Sequence, residues 1–245
     1  MKIKSYYFAK SNAEYESGVH VKAFSHSFVP RDSLKTLETL QIDLTKDAND
    51  LLMEMQKTTR RQIRRAEEVG LDHVVIEKPS DQDLKEFQEF YNRFAKNKKT
   101  HTCNSYHMKT MGMLRDRDGL IITYMRNKLK EIICYRVYII DEMVVMNLYS
   151  ASHFRTASSP ELKKMLSHAN RLLLWKSILW FKEKGYELYD LGGLTNNENI
   201  RNFKLGFGGE IVSVYSGYEA NSFIGSFVLK MRSWKIALAT AREIQ

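Results

Sequence analysis

The stretch YELYDLGGLTNNENIRNFKLGFGGEIVSVYSGY, Tyr186 to Tyr218, decides how the chain is read. Six of the twelve glycines of the chain fall in it, and two doublets, Gly192-Gly193 and Gly208-Gly209, bracket Lys204 inside NFKLGFGG. YELYDLGG reads as a strand, NENIRNFKLGF as a short helix and EIVSVYSGY as a second strand. This is neither a dinucleotide fingerprint nor a P-loop: LGFGG follows a helix rather than a strand, and no Gly-Lys-Ser/Thr sequence is present. A short helix between two strands of a mixed sheet puts Lys204 near the mouth where strands end, the usual ligand crevice. Flanking glycines let backbone and ligand approach closely. A lysine held there stabilises a developing oxyanion or binds a phosphate or carboxylate; the plainer reading is a surface lysine with C-cap glycines.

Working outward, LKKMLSHANRLLLWKSILWFKEKG is apolar nearly all round in its second half, which predicts a buried helix with Gly185 as its C-cap. Before it runs a meander of GLIITYMR, EIICYRVYII and MVVMNLYSAS, turned at Asn127-Lys128 and Asp141-Glu142. LDHVVIEKP is a strand. SDQDLKEFQEFYNRFAKNKK is a helix capped by Ser80, with Leu84, Phe87, Phe90, Tyr91 and Phe94 on one stripe. SYHMKTMGMLRD predicts a shorter helix. The first 45 residues read as extended segments, followed by one continuous helix over LTKDANDLLMEMQKTTRRQIRRAEEVG, with Gly70 at its end. From residue 72 the order β-α-α-β-β-β-α-β-α-β predicts an α/β (α+β) chain, a mixed sheet with helices on both faces. We divide it into residues 1–70, N-terminal strands and a basic helix, and 71–245, the main domain.

The 245 residues are enough for a core without staples, and the two cysteines, Cys103 and Cys134, are too few for a disulfide framework. The N-terminus lacks the apolar run of a signal peptide and no stretch is long and apolar enough to span a membrane, so a cytoplasmic protein is expected. Lys and Arg outnumber Asp and Glu by 38 to 29, a net charge of +9, which favours polyanionic partners. Part of this charge is concentrated in KTTRRQIRR, Lys57 to Arg65. His101, Cys103 and His107 in HTCNSYH lack the spacing of a metal site. A polar substrate loop fits that segment better, and no metal is expected.

The run HANRLLLWKSILWFKEKGYELYDLGG…NIRNFKLGFGGEIVSVYSGY resembles the C-terminal part of the Fem peptidyltransferases, a branch of the GNAT-like N-acyltransferase superfamily. LLMEMQKTTRRQIRRAEEVGL resembles the basic helix that precedes the family's acyltransferase domain. The resemblance spans residues 45–218 and is densest in 168–218. It implies a GNAT-like fold, here one acyltransferase unit with a reduced N-terminal portion. It also implies amide formation, in which an acceptor amine attacks an activated acyl carbonyl. By that resemblance Lys204 stabilises the tetrahedral oxyanion and Phe203 shapes the site.

No tightly bound cofactor is implied. The resemblance implies as donor aminoacyl-tRNA or an acyl thioester, acyl-CoA or acyl carrier protein; SHFRTASSPELKKMLSHAN lacks the glycine turn that holds pyrophosphate in CoA-dependent relatives. The resemblance implies as acceptor a nucleotide- or lipid-linked amine of a cell-envelope precursor, a peptidoglycan precursor or a surface-polysaccharide amino sugar. The alternatives are an acyl-CoA-dependent enzyme acting on a small amine and a non-catalytic tRNA-binding protein of the same fold.

Further candidates come from position. Asp190, at a strand end, would receive the amine's proton or orient the acceptor. Gly192 and Gly193 form the turn beside it. His168, Asn170 and Arg171 open the buried helix toward the crevice. Arg60 and Arg64, one turn apart, would clamp phosphates. Tyr149 would line the acceptor site. The C-terminal helix, with Phe223, Phe227, Trp234, Lys230, Arg232 and Lys235, suits a peripheral membrane contact.

Overall fold

The strand β6 (Ile132–Asp141) carries apolar residues at nearly every position because both its faces are covered. In the computed structural model, which describes residues 1–11, 17–153 and 157–243 and side chains through residue 234, Cys134 and Tyr138 turn to one hydrophobic cluster. Tyr135 and Val137 turn to another. The first cluster is filled by α5 (Pro160–Glu183), whose Ala169, Leu172, Leu173, Leu174, Ile178 and Phe181 are all buried. The second is filled by Leu84, Phe87 and Phe90 of α3 (Asp81–Lys98) and Met111 of α4 (Ser105–Arg115). The expected layering, a mixed sheet with helices on both faces, is present.

The chain divides into two compact units, Leu40–Glu210 and Met1–Thr39 with Ile211–Gln245. In the larger, β4 (Asp72–Ile76), β5 (Leu120–Arg126), β6 and β7 (Val144–Ser152) pair antiparallel in turn. A crossover through α5 then brings β8 (Leu188–Gly193) parallel to β7. The second half of β3 (Leu34–Asp43) lies beyond β8, and α6 (Glu198–Leu205) follows β8. In the smaller unit β1 (Ile3–Tyr7) runs parallel to β2 (Val21–Ser27), and β2 pairs antiparallel with β9 (Glu210–Ala220). There α7 (Phe223–Glu243) follows β9, and Phe223, Ile224, Phe227, Met231 and Trp234 are exposed on it. The units follow these pairings rather than the boundary at residue 70, since the segment after 210 pairs with strands from the first 39 residues. Lys235 lies outside the described side chains, as do Phe154, Arg155 and Thr156 of the loop before α5. No helix among the described residues is long and apolar enough to cross a membrane.

The continuous helix expected over residues 44–70 is two helices, α1 (Ala48–Glu54) and α2 (Lys57–Glu67), broken at Met55, whose ψ of 150° is extended. The break has identifiable causes. Met55 is buried, the Gln56 N–H donates to the Gly206 carbonyl at 3.0 Å, and Arg60 Nη1 donates to the Met53 and Met55 carbonyls at 2.8 and 2.7 Å. A guanidinium thus satisfies the last carbonyls of α1, which have no intrahelical donor. Asp47 occupies the N-cap of α1 without a side-chain cap bond.

Candidate active site

The parallel pairing of β7 and β8 runs from Val144–Leu188 to Met146–Asp190 and stops there, although both strands continue. Beyond that point a cavity of about 400 Å³ opens, lined by Asn147, Leu148 and Ser150 of β7, Leu191, Gly192 and Gly193 of β8, and Phe203 and Lys204 of α6. This is the crevice at the carboxyl ends of parallel strands. A β-bulge in β7 shapes one wall: Tyr149 pairs with Val137 and Asn147 with Tyr138, which leaves Leu148 as the extra residue. The bulge breaks the two-residue alternation, so Asn147 and Ser150, three apart, face the same partner.

Lys204 Nζ donates to the Gly192 and Gly193 carbonyls, both at 2.8 Å. An ammonium has three donors, so one N–H remains for the cavity. Burial pushes its pKa down to about 8, with Arg136 pushing the same way and Asp190 opposing. Gly192 holds the turn at φ +76°, where a Cβ would meet the Asn147 carbonyl oxygen at 3.2 Å. Asp190 is fully buried behind this turn: it accepts from the Gly192 N–H at 2.6 Å and from Gln41 Nε2 at 3.0 Å. It holds the turn that holds Lys204, a positioning role rather than that of a proton acceptor facing the cavity.

Arg136, in the middle of β6, is 3% exposed. Its Nη1 donates to Asn147 Oδ1 at 2.8 Å and Ser150 Oγ at 2.9 Å, and its Nη2 to Asn170 Oδ1 at 3.1 Å. The Phe203 ring lies between two guanidiniums, 5.8 Å from that of Arg136 and 4.9 Å from that of Arg171. The cavity therefore joins Phe203 and Lys204 to two cations, with Asn170 lining it and Arg171 behind Phe203.

Other expected residues lie elsewhere. Tyr149 packs on Phe87, Tyr91 and His107 in the cluster under α3 instead of lining the cavity, and burial raises its pKa. Arg60 is engaged with the end of α1, while Arg64 is exposed on α2. His168 is 8% exposed; burial lowers its pKa, and Arg171, Lys164, Arg65 and Arg61 lower it further. Of the glycines, only Gly192 and Gly193 reach the cavity. Gly209, at φ +86°, lies so close to β3 that a Cβ would sit 2.3 Å from the Gln41 carbonyl oxygen, and Gly206 and Gly208 abut Thr59 and Glu54. Cys103 is buried against Met108, and its thiol is pushed up to about 11 by desolvation, which makes a poor nucleophile. His107 is part of the capping box at the start of α4.

Arg136, Asn147 and Ser150 escaped the sequence reading. The available signal was a charged residue in the middle of the otherwise apolar IICYRVYII, which a buried strand admits only with partners.

No family model and no curated protein matches the chain. Solved structures do. FemX superposes with a TM-score of 0.59 at 14% identity, covering 74% of this chain and 60% of FemX. A domain assigned as the C-terminal part of a lysylphosphatidylglycerol synthetase from Agrobacterium fabrum gives 0.55 at 15% identity, covering 87% of this chain and 72% of that one. L-PGS from Bacillus licheniformis gives 0.52 at 13% identity, with 88% and 72% covered. The chain thus spans three-fifths of FemX. The likeness is one of fold alone, the mixed α/β sheet with helices on both faces expected above.

Proposed function

We propose that this chain is an N-acyltransferase that moves an aminoacyl or acyl group from an activated donor onto an amine of a cell-envelope precursor. The observation that carries the reading is Lys204, a half-buried ammonium fixed by two carbonyls with one donor left for the cavity, where β7 and β8 part. The fold shared with FemX and with the lysylphosphatidylglycerol synthetase domain supports aminoacyl or acyl transfer in general; the envelope acceptor is part of the proposal.

In the reaction the acceptor amine's lone pair attacks the acyl carbonyl carbon, and the carbonyl π electrons move onto oxygen. The free N–H of Lys204 meets that oxyanion, a service worth about 3–4 kcal/mol if it equals one oxyanion-hole donor. Collapse re-forms the carbonyl and expels the donor's ester oxygen or thiolate. The proton lost by the amine leaves with that group or to solvent. Phe203, packed against both guanidiniums, forms a wall of the cavity. Asp190 acts through Gly192. The exposed Lys57, Arg61, Arg64 and Arg65 of α2, together with Lys164 on α5, suit the phosphates of a tRNA or of a nucleotide- or lipid-linked acceptor.

The test is transfer of a labelled amino acid from charged tRNA to the amines of an envelope-precursor extract, beside a parallel reaction with labelled acyl-CoA. An RNase-sensitive amide product supports the aminoacyl reading. A product from acyl-CoA alone moves the donor to a thioester. RNA affinity that falls steeply with salt, without any amide product, makes the chain a binding protein and sinks the reading.

A further inference from the structure

Resting on the transferase reading of this cavity, the charge balance of its wall says something about the substrate. Arg136 is buried and Lys204 half-buried, and both are held by neutral oxygens: side-chain amide and hydroxyl oxygens for the first, main-chain carbonyls for the second. No carboxylate forms an ion pair with either among the described residues. No Asp or Glu lines the cavity, which Lys98 also borders. The nearest acid in the hydrogen-bond network, Asp190, has its two oxygens engaged by Gly192 and Gln41. Arg136 Nε is buried without a hydrogen-bond partner, and Nη2 makes a single bond, although it carries two N–H groups. Taking a guanidinium out of water costs several kcal/mol, recovered only with a well-placed counter-charge and satisfied donors. Arg136 has partners for most of its donors, and among the described residues no carboxylate stands at ion-pair distance from it; the buried Asp190 acts on Lys204 only through space.

A purely architectural role, tying β6 to β7 and α5, would be served as well by a neutral side chain. A permanent cation facing a polar cavity beside Lys204 points to a ligand that brings negative charge. The transient oxyanion of the reaction does not account for both cations, because it is absent from the resting complex.

We propose that the cavity contains a subsite for an oxyanion that belongs to the substrate itself, a carboxylate or a phosphate, and that Arg136 is the residue that selects it. A substrate with a neutral group at that point would leave the buried guanidinium uncompensated and be rejected, as sites built for a polar partner reject analogues lacking it.

The test needs no identified substrate. Lys204 of the intact chain is methylated with trace formaldehyde and cyanoborohydride near pH 8, and its extent of labelling is read by peptide mass spectrometry. The probes are acetate, inorganic phosphate and acetamide, the last a neutral isostere of acetate. An ion present at four times its dissociation constant slows labelling about fivefold. Protection by acetate or by phosphate, with none from acetamide, supports the subsite, and the ion that protects names the source of the charge. Protection by acetamide equal to that by acetate, or no protection by any probe, overturns it on the parent protein alone. In Arg136→Gln, protection disappears while Lys204 still reacts; in Arg136→Lys it survives in part, a control for folding. Protection that persists unchanged in a folded Arg136→Gln would assign the ion to Lys204 alone and also overturn the proposal. Because labelling needs no turnover, the subsite can fail while amide transfer stands, and can stand where transfer fails.

Discussion

Lys204→Met separates the chemistry of this site from its architecture. Methionine keeps the length of the side chain and removes the charge and all three donors. If the free N–H of Lys204 is what meets the oxyanion, transfer falls about 10²–10³-fold, the effect of one such donor. Stability should move much less. The drop in the pKa from 10.5 to about 8 corresponds to about 3 kcal/mol spent on keeping the ammonium charged in the fold. Methionine removes that cost but leaves the Gly192 and Gly193 carbonyls without their donor, at about 1–3 kcal/mol each where water does not replace it. The terms oppose, and the variant should unfold within about 3 kcal/mol of the parent at pH 7. The comparison also has a pH signature. Between about pH 8 and 10.5 the unfolded lysine holds a proton that the folded one has lost, so the parent gains stability relative to Lys204→Met as pH rises through that window. Urea denaturation at pH 7 and pH 10 gives the stabilities, and single-turnover transfer gives the rate. Transfer within about threefold of the parent would remove Lys204 from the mechanism.

Four other outcomes are expected. Transfer limited by oxyanion stabilisation declines as pH rises through about 8 in the parent and stays level in Lys204→Arg, whose guanidinium keeps its charge; a pH-rate profile checks this. Asp190→Asn weakens the bond to the Gly192 N–H and withdraws the charge that supports Lys204, costing about 2–3 kcal/mol in denaturant unfolding and moving the Lys204 pKa further below 8. Gly209→Ala puts a methyl against the Gln41 carbonyl oxygen at positive φ, and unfolds by at least about 2 kcal/mol more easily than the parent. Phe227→Ser changes the unfolding free energy by no more than about 0.5 kcal/mol, since the residue is 65% exposed.

Much of the fold was legible because its signals are local. The meander announced itself through apolar runs and tight turns, the buried helix α5 through apolarity all round, and Lys204 through the glycines about it. What escaped depends on contacts distant in sequence. The break between α1 and α2 is set by the carbonyl of Gly206, roughly 150 residues away in the chain, and by Arg60 folding back on α1. Arg60 therefore looked like a phosphate clamp until its carbonyl partners were visible. Tyr149 was placed in the site from its position at the end of the meander, and its packing on Phe87 and Tyr91, both far off in sequence, takes it elsewhere. The second glycine doublet reads, in sequence, like the first, yet Gly209 makes room for β3 and not for a ligand. Arg136 stood in plain sight within an apolar strand, but its importance rests on Asn147, Ser150 and Asn170, which come from two other elements.

The central claim is amide formation at Lys204, and the product itself tests it most directly. The intact chain is incubated with isotopically labelled aminoacyl-tRNA and an envelope-precursor extract, and new species are identified by mass spectrometry. The account predicts a species equal in mass to an acceptor amine plus the amino acid minus water, stable to mild base as an amide and absent with Lys204→Met. Donor left intact, or consumed only to the free amino acid, with no such species from either aminoacyl-tRNA or acyl-CoA, would contradict it.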